Sequence, residues 1–137
     1  MVVIDGTDAV LGRLCVAVSK EAKKLKDDET IDVINVEKVI ITGNPKKIEA
    51  FYKQRIDKGE RYHGPFFPRR PDGIFRRALR GMIAYKRKSG RDMFSKIKIH
   101  NGVPKGVKTD DVKKMGVKEV RCKYITLEKL SQKVGGI

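Results

Sequence analysis

The sequence predicts an α/β fold built on a parallel sheet, and three observations carry that expectation. Val2-Val3-Ile4 and residues 30–36 are short, β-branched, apolar runs, and the residues between them keep helical spacing. Strand, helix and strand within about thirty-five residues form a βαβ unit, whose strands run parallel with a right-handed crossover. The second run, TIDVINV, is apolar nearly throughout, as a strand covered on both faces would be. Finally, 137 residues with 39% hydrophobic content suffice for one domain with a real core and fall short of two. With no internal repeat and no boundary, residues 1–137 read as a single domain, with basic extensions at about 58–73 and 103–123.

Each element has its own signal. Asp5-Gly6-Thr7-Asp8 is a turn, with Thr7 or Asp8 expected to cap the first helix. Val10, Leu11, Leu14, Val18, Ala22 and Leu25 form its apolar stripe. Lysines gather in its last turns, where the helix dipole favours cations. Val39-Ile40-Ile41-Thr42 is a further strand. Gly43-Asn44-Pro45 then starts a helix, with Asn44 as cap and Pro45 at the first position. That helix runs to about Ile56, with Ile48, Phe51, Tyr52 and Ile56 inward and Lys46, Lys47, Lys53 and Arg55 outward.

From Lys58 to Gly73, glycines and prolines break any regular element, and Tyr62, His63, Phe66 and Phe67 interleave with Arg61, Arg69 and Arg70. Aromatic rings beside arginine in an open loop suit stacking on unpaired bases. For Phe66 and Phe67 the plainer reading, plugging the core edge, is favoured; for Arg69 and Arg70, phosphate contact is. The next helix is expected from about Ile74 to Arg87. On a wheel of 3.6 residues per turn, Ile74, Phe75, Ala78, Leu79, Met82, Ile83 and Tyr85 fall on one half. Arg76, Arg77, Arg80 and Arg87 fall on the other, while Lys86 snorkels from the apolar side.

Lys86 to Arg91 is a basic connection, and residues 92–95 form one more helical turn. Lys96-Ile97-Lys98-Ile99-His100 alternates as an edge strand with one cationic face. Residues 105–120 are Lys-rich with little periodicity and read as a surface segment that orders on a partner. A last helix runs from Thr126, as cap, to Val134, closed by Gly135-Gly136.

Composition narrows the function. Thirty-two Lys plus Arg against 17 Asp plus Glu give a net charge of +15. Excess charge of one sign opposes compaction, so the chain is expected to work beside a large opposite charge. Nucleic acid leads and an anionic membrane surface follows. No stretch approaches the roughly 20 apolar residues of a membrane span, and the N-terminus has no signal-peptide pattern. The Arg face is one-signed, whereas solvated helix faces mix signs because like charges repel. Guanidinium forks fit phosphate oxygens two at a time, and Gly81 lets a backbone come close.

Signals for chemistry are weak. Cys15 and Cys122 have no CxxC or Cys/His spacing that suggests zinc. Cys15 reads as a small buried residue, and the compartment as the reducing cytosol. The Asp5–Arg13 turn sits where α/β proteins hold nucleotides, but lacks GxGxxG and P-loop residues. A small nucleotide-using enzyme is therefore the second hypothesis, and a DNA-compacting protein the third. His63 and His100 read as packing or RNA-contact residues. No catalytic constellation, metal set or cofactor site is expected.

Five segments recur in order in one known family: VIDGTDAVLGRL (Val3 to Leu14), VEKVIITGNPKK (Val36 to Lys47), IFRRALRGMIAYKRKSGR (Ile74 to Arg91), KIKIHNGVP (Lys96 to Pro104) and LEKLSQKVGG (Leu127 to Gly136). The chain resembles the universal large-subunit ribosomal protein L-thirteen family in its archaeal form. The resemblance implies a three-layer single α/β domain, with a central parallel sheet of about four strands, helices on both faces and basic RNA-binding loops. It implies a structural, non-enzymatic role in the cytoplasmic ribosome: binding large-subunit ribosomal RNA beside neighbouring ribosomal proteins, and supporting subunit assembly and translation. No membrane and no small-molecule substrate are implied. The family's RNA-facing segments fall on the basic loop, the Arg helix and the basic run after it. With the residue reading, that gives Arg61, His63, Arg69, Arg70, Arg76, Arg77, Arg80, Lys86, Arg87, Lys88 and Arg91 as the RNA-binding set. Where the family commonly has Arg-Gly-Met-Leu-Pro, this chain has Ile83-Ala84, so the Arg helix is expected to run on. The long C-terminal helix of eukaryotic members is not matched, and none of their non-ribosomal roles is carried over.

Overall fold

The computed structural model describes residues 1–26, 28–107, 112–114, 116 and 120–136. A four-stranded sheet, all parallel, forms the centre. Its strands are β1 (Val2–Asp5), β2 (Ile31–Ile34), β4 (Ile97–Ile99) and β5 (Val112–Lys114), in the order β4-β2-β1-β5. Register pairs Ile4 with Val33 and Ile31 with Ile97. Helix α1 (Leu11–Ala22) crosses from β1 to β2, which makes the expected βαβ unit. All four residues of β2 are buried, so the sheet is covered on both faces. This is the α/β architecture that the sequence predicts, consistent with three layers.

Strand β3 (Ile40–Thr42) does not join that sheet. It pairs antiparallel with β6 (Tyr124–Thr126). A single 3-10 turn at Val36–Lys38 redirects the chain between β2 and β3, after Asn35 takes a left-handed φ of 54°. This turn shortens the expected strand 30–36 to four residues. Strand β6 leads directly into α5 (Leu127–Lys133), where Thr126 Oγ1 accepts from the Lys129 amide as expected of a cap.

Helix α1 lacks the expected cap. Its N-cap is Val10, with no side-chain hydrogen bond, and Asp8 instead adopts φ 54°. The turn is shaped by Asp5, whose Oδ1 accepts from the Thr7 amide at 3.0 Å, the Thr7 hydroxyl at 2.7 Å and Asn35 Nδ2 at 3.0 Å. Burial pushes the Asp5 carboxyl up, but these hydrogen bonds outweigh it and hold its pKa below the ordinary value. A carboxylate so engaged ties β1 to the end of β2. Helix α2 (Pro45–Asp57) starts as predicted, with Asn44 Oδ1 accepting from the Lys46 amide.

The Arg helix is α3 (Pro71–Met82), with Pro71 at its first position, Asp72 in the first turn and Ile74, Phe75 and Leu79 buried. It packs its apolar stripe against α1 and α5. It neither starts at Ile74 nor reaches Arg87. Ile83 is extended, at φ −107° and ψ 144°, and buries its side chain where the helix would have continued. The chain then reverses through 84–87 into α4 (Lys88–Ser95). Gly90 explains the reversal: a Cβ there would lie 2.0 Å from the Ala84 carbonyl oxygen. The absence of Pro after Ile83 therefore does not lengthen the helix, and the run 86–91 is half helical rather than a plain connection.

The segment 105–120 also departs from expectation where it is described. Val112–Lys114 is the outer parallel strand beside β1, pairing Val3 with Val112. Residues 108–111, 115 and 117–119, with Asp110 and Asp111, lie outside the described residues. The core unites Ile4, Leu14, Val18, Ile31, Val33, Phe75, Leu79, Ile97, Leu127 and Leu130 from sheet and helices alike.

Candidate nucleic-acid interface

Helix α3 presents Arg76, Arg77 and Arg80 on the side opposite Ile74, Phe75 and Leu79. Among the described residues, no ion pair involves these three or Arg87. Each helix arginine instead lies over an aromatic ring. Arg76 Cζ is 4.5 Å from the Phe94 centroid, Arg77 is 4.4 Å from Phe67 and Arg80 is 5.0 Å from Tyr85. Such contacts contribute about 0.5–1 kcal/mol each at exposed sites. Their larger effect is geometric, because a ring beneath a guanidinium fixes the fork without using its N–H donors. The three side chains close over a hollow of about 290 Å³, also lined by Pro68, Gly73 and Phe94.

The loop before α3 supplies a second bank. Arg61 and Arg69 line another hollow of about 290 Å³ with Phe66 and Phe67. Phe67 packs edge-on against Tyr52 at 5.6 Å, as a core-edge plug would. Phe66 does not: it is 72% exposed, against the expectation that it plugs the core edge. Arg61 lies 5.7 Å from the exposed ring of Tyr62. His63 faces Glu60 at 3.4 Å, and Arg70 Nε faces Asp72 at 3.6 Å. Both pairs are exposed, and such pairs are weak enough to yield to a stronger anion.

Lys86, Arg87, Lys88 and Arg91 are exposed on the turn and first half of α4, and none of them lines these two hollows. The arrangement therefore brings together Arg76, Arg77 and Arg80, sets Arg61 and Arg69 beside them, and leaves the 86–91 cations as a separate patch. The packing reading holds for His100, whose Nε2 is 3.1 Å from Oδ1 of buried Asp32.

Sequence reasoning missed two contributors. The sequence places Phe94 only on a helical turn, yet it seats Arg76. The helical spacing predicts Phe51 inward, but it is 48% exposed, with Arg55 Cζ over its ring at 4.5 Å. The spacing of Phe51 and Arg55, one helical turn apart, is the signal that could have found the second pair.

Among the described residues, no group of three or more His, Cys, Asp or Glu could hold a metal ion. Burial pushes the Cys15 thiol up to about 12, far from a reactive thiolate. No described helix is long and apolar enough to cross a membrane.

Comparison with known proteins agrees in one direction. Residues 1–106 match the model of the family described as Ribosomal protein L13. The chain is 42% identical over 139 residues to the large ribosomal subunit protein uL13 of Methanopyrus kandleri, covering 97% of this chain and 86% of that protein. It is 45% identical over 128 residues to the uL13 of Methanosphaera stadtmanae, covering 90% and 87%. With the uL13 of Methanosarcina barkeri it shares 39% over 139 residues, covering 98% of each.

Proposed function

Because the chain belongs to the ribosomal protein L13 family, a family of structural rather than catalytic ribosomal components, we propose that it is a constituent of the large ribosomal subunit that binds large-subunit ribosomal RNA. It acts on the cytoplasmic ribosome as a single domain over 1–137, with basic extensions near 58–73 and 103–123. By filling RNA grooves with fixed positive charge beside neighbouring ribosomal proteins, it supports subunit assembly and translation.

The observation that carries this reading is the arginine row of α3, in no ion pair among the described residues and with each guanidinium braced by a ring. Braced forks keep their donors for phosphate oxygens, and little side-chain entropy is left to lose on binding. Arg61, His63, Arg69 and Arg70 add the loop bank to the contact, and Lys86, Arg87, Lys88 and Arg91 add the 86–91 patch. The test is titration of a large-subunit ribosomal RNA fragment across a salt series. Neutralising about six phosphates costs ~10³ in affinity between ~50 and ~200 mM salt. Changing Arg76, Arg77 and Arg80 to Gln together should lower the logarithmic salt slope by about three while the fold persists. A flat salt response, or an unchanged slope in that variant, overturns the reading.

A further inference from the structure

We propose that the hollow between α2 and α3 is a binding subsite for a single unpaired nucleotide of the RNA, a contact that shares Arg77 with the α3 arginine row and otherwise lies outside it. It rests on the reading of the chain as an RNA-binding protein and adds α2 to the interface. The hollow is about 260 Å³, with Phe51, Gln54, Arg55 and Lys58 on one wall and Phe67 and Arg77 on the other.

Four features converge there. Phe51 is a large apolar ring left 48% exposed on a helix whose spacing directs it inward. A ring in that state gains by being covered. Arg55 lies over it at 4.5 Å, so ring and guanidinium together offer a stacking platform, and bases stack on either kind of plane. Arg55, Lys58 and Arg77 bring three cations to one small space, and among the described residues none of them is in an ion pair. Three uncompensated cations fit the phosphates flanking one nucleotide. Gln54 adds a carboxamide, which donates and accepts and so can read a base edge.

The walls are held at a fixed distance. Phe51 meets Tyr52 edge-on at 5.8 Å, Tyr52 meets Phe67 at 5.6 Å, and Arg77 lies over Phe67 at 4.4 Å. This ladder runs from Arg55 on α2 to Arg77 on α3 through touching rings, so the subsite is preformed. Its volume is below the roughly 300–1,000 Å³ of a typical small-molecule site. A base turned out of its strand fits such a space; a duplex does not.

The experiment compares the full-length chain with Phe51→Leu, Arg55→Gln and Arg76→Gln, against a short single-stranded oligouridylate and a blunt RNA duplex. Phe51→Leu should weaken the single strand about 5- to 100-fold with an unchanged salt slope. It should leave duplex binding within about twofold. Arg55→Gln should lower the single-strand slope by about one. Should Phe51→Leu unfold the chain, the Arg55→Gln slope decides alone. If both α2 variants bind like the parent while Arg76→Gln is weakened, the subsite is wrong and the RNA reading stands. If all three bind like the parent, the RNA reading itself fails. Equal weakening on both probes by Phe51→Leu also overturns the subsite, because the ring then acts through the fold.

Discussion

Replacing Gly90 with alanine should damage both the fold and the proposed interface, and the structure gives the size of each effect. The new methyl carbon would lie 2.0 Å from the Ala84 carbonyl oxygen, 2.4 Å from its carbon and 3.0 Å from the Tyr85 nitrogen. Non-bonded carbons are comfortable near 3.5 Å, so the two backbones have to part by about 1.5 Å. Neither contact is a flexible side-chain tip that can swing away. Overpacking of this kind costs about 1–3 kcal/mol. Against it stands a gain of about 0.5–1 kcal/mol for alanine over glycine inside a helix. Taking the middle of each range, the net expectation for Gly90→Ala is a loss of about 1 kcal/mol. The shift also carries Phe94, one turn further along α4, away from Arg76. Without that brace Arg76 has to be ordered on binding, at about 0.5–1.5 kcal/mol, which should weaken RNA binding roughly two- to twelvefold. Urea denaturation at constant m-value reads the first effect, and RNA titration on the still-folded protein reads the second. Gly81→Ala is the control: nothing lies within 4 Å of its added methyl, so it should raise stability by about 0.5–1 kcal/mol. An unchanged midpoint in Gly90→Ala would refute the tight α3–α4 turn.

Three further outcomes follow from the core and the titratable groups. Leu79→Ala should cost about 2–5 kcal/mol, since Leu79 is fully buried in the core, whereas Arg76→Gln should cost under about 1 kcal/mol; similar losses in denaturation would mean that the two faces of α3 are misassigned. Because the Asp5 pKa is lowered on folding, its stabilisation is complete above the unfolded value near 3.8 and fades as pH falls through the lower folded value. Asp5→Asn should therefore be less stable than the parent at neutral pH and lose less on acidification below about pH 4, and parallel acid-denaturation curves would count against that hydrogen-bond set. Iodoacetamide at mildly alkaline pH should label exposed Cys122 and spare Cys15, and mass spectrometry finding both modified at similar rates in native protein would contradict the burial of α1.

The parallel sheet was legible because its signals are local. Two β-branched runs around a helical stripe can only be joined as a crossover, and Asn44-Pro45 and Thr126 announce their helices outright. What escaped depends on distant partners. Strand β5 is three residues, Val112–Lys114, two of them lysine, and acquires strand geometry only by lying beside β1. The end of α3 is set by a glycine seven positions beyond Ile83, which acts through a carbonyl it reaches only after the chain has turned back. The arginine face itself was visible from periodicity. The rings that steady it, from the loop, the turn and α4, were not, because no pattern along one element reports what stands over it.

The placement of β1 sets an order of events for a newly made chain. Val3 pairs with Asp32 on one side and with Val112 on the other, and most of the polypeptide separates those two neighbours. While synthesis proceeds from the N-terminus, β2 arrives early and β5 arrives near the end. Until then one flank of the central strand has its amides and carbonyls bare, open to any foreign strand that drifts past. Premature release of a truncated product would leave that flank uncovered for good, so nascent chains lacking residues 112–114 should be the sticky ones.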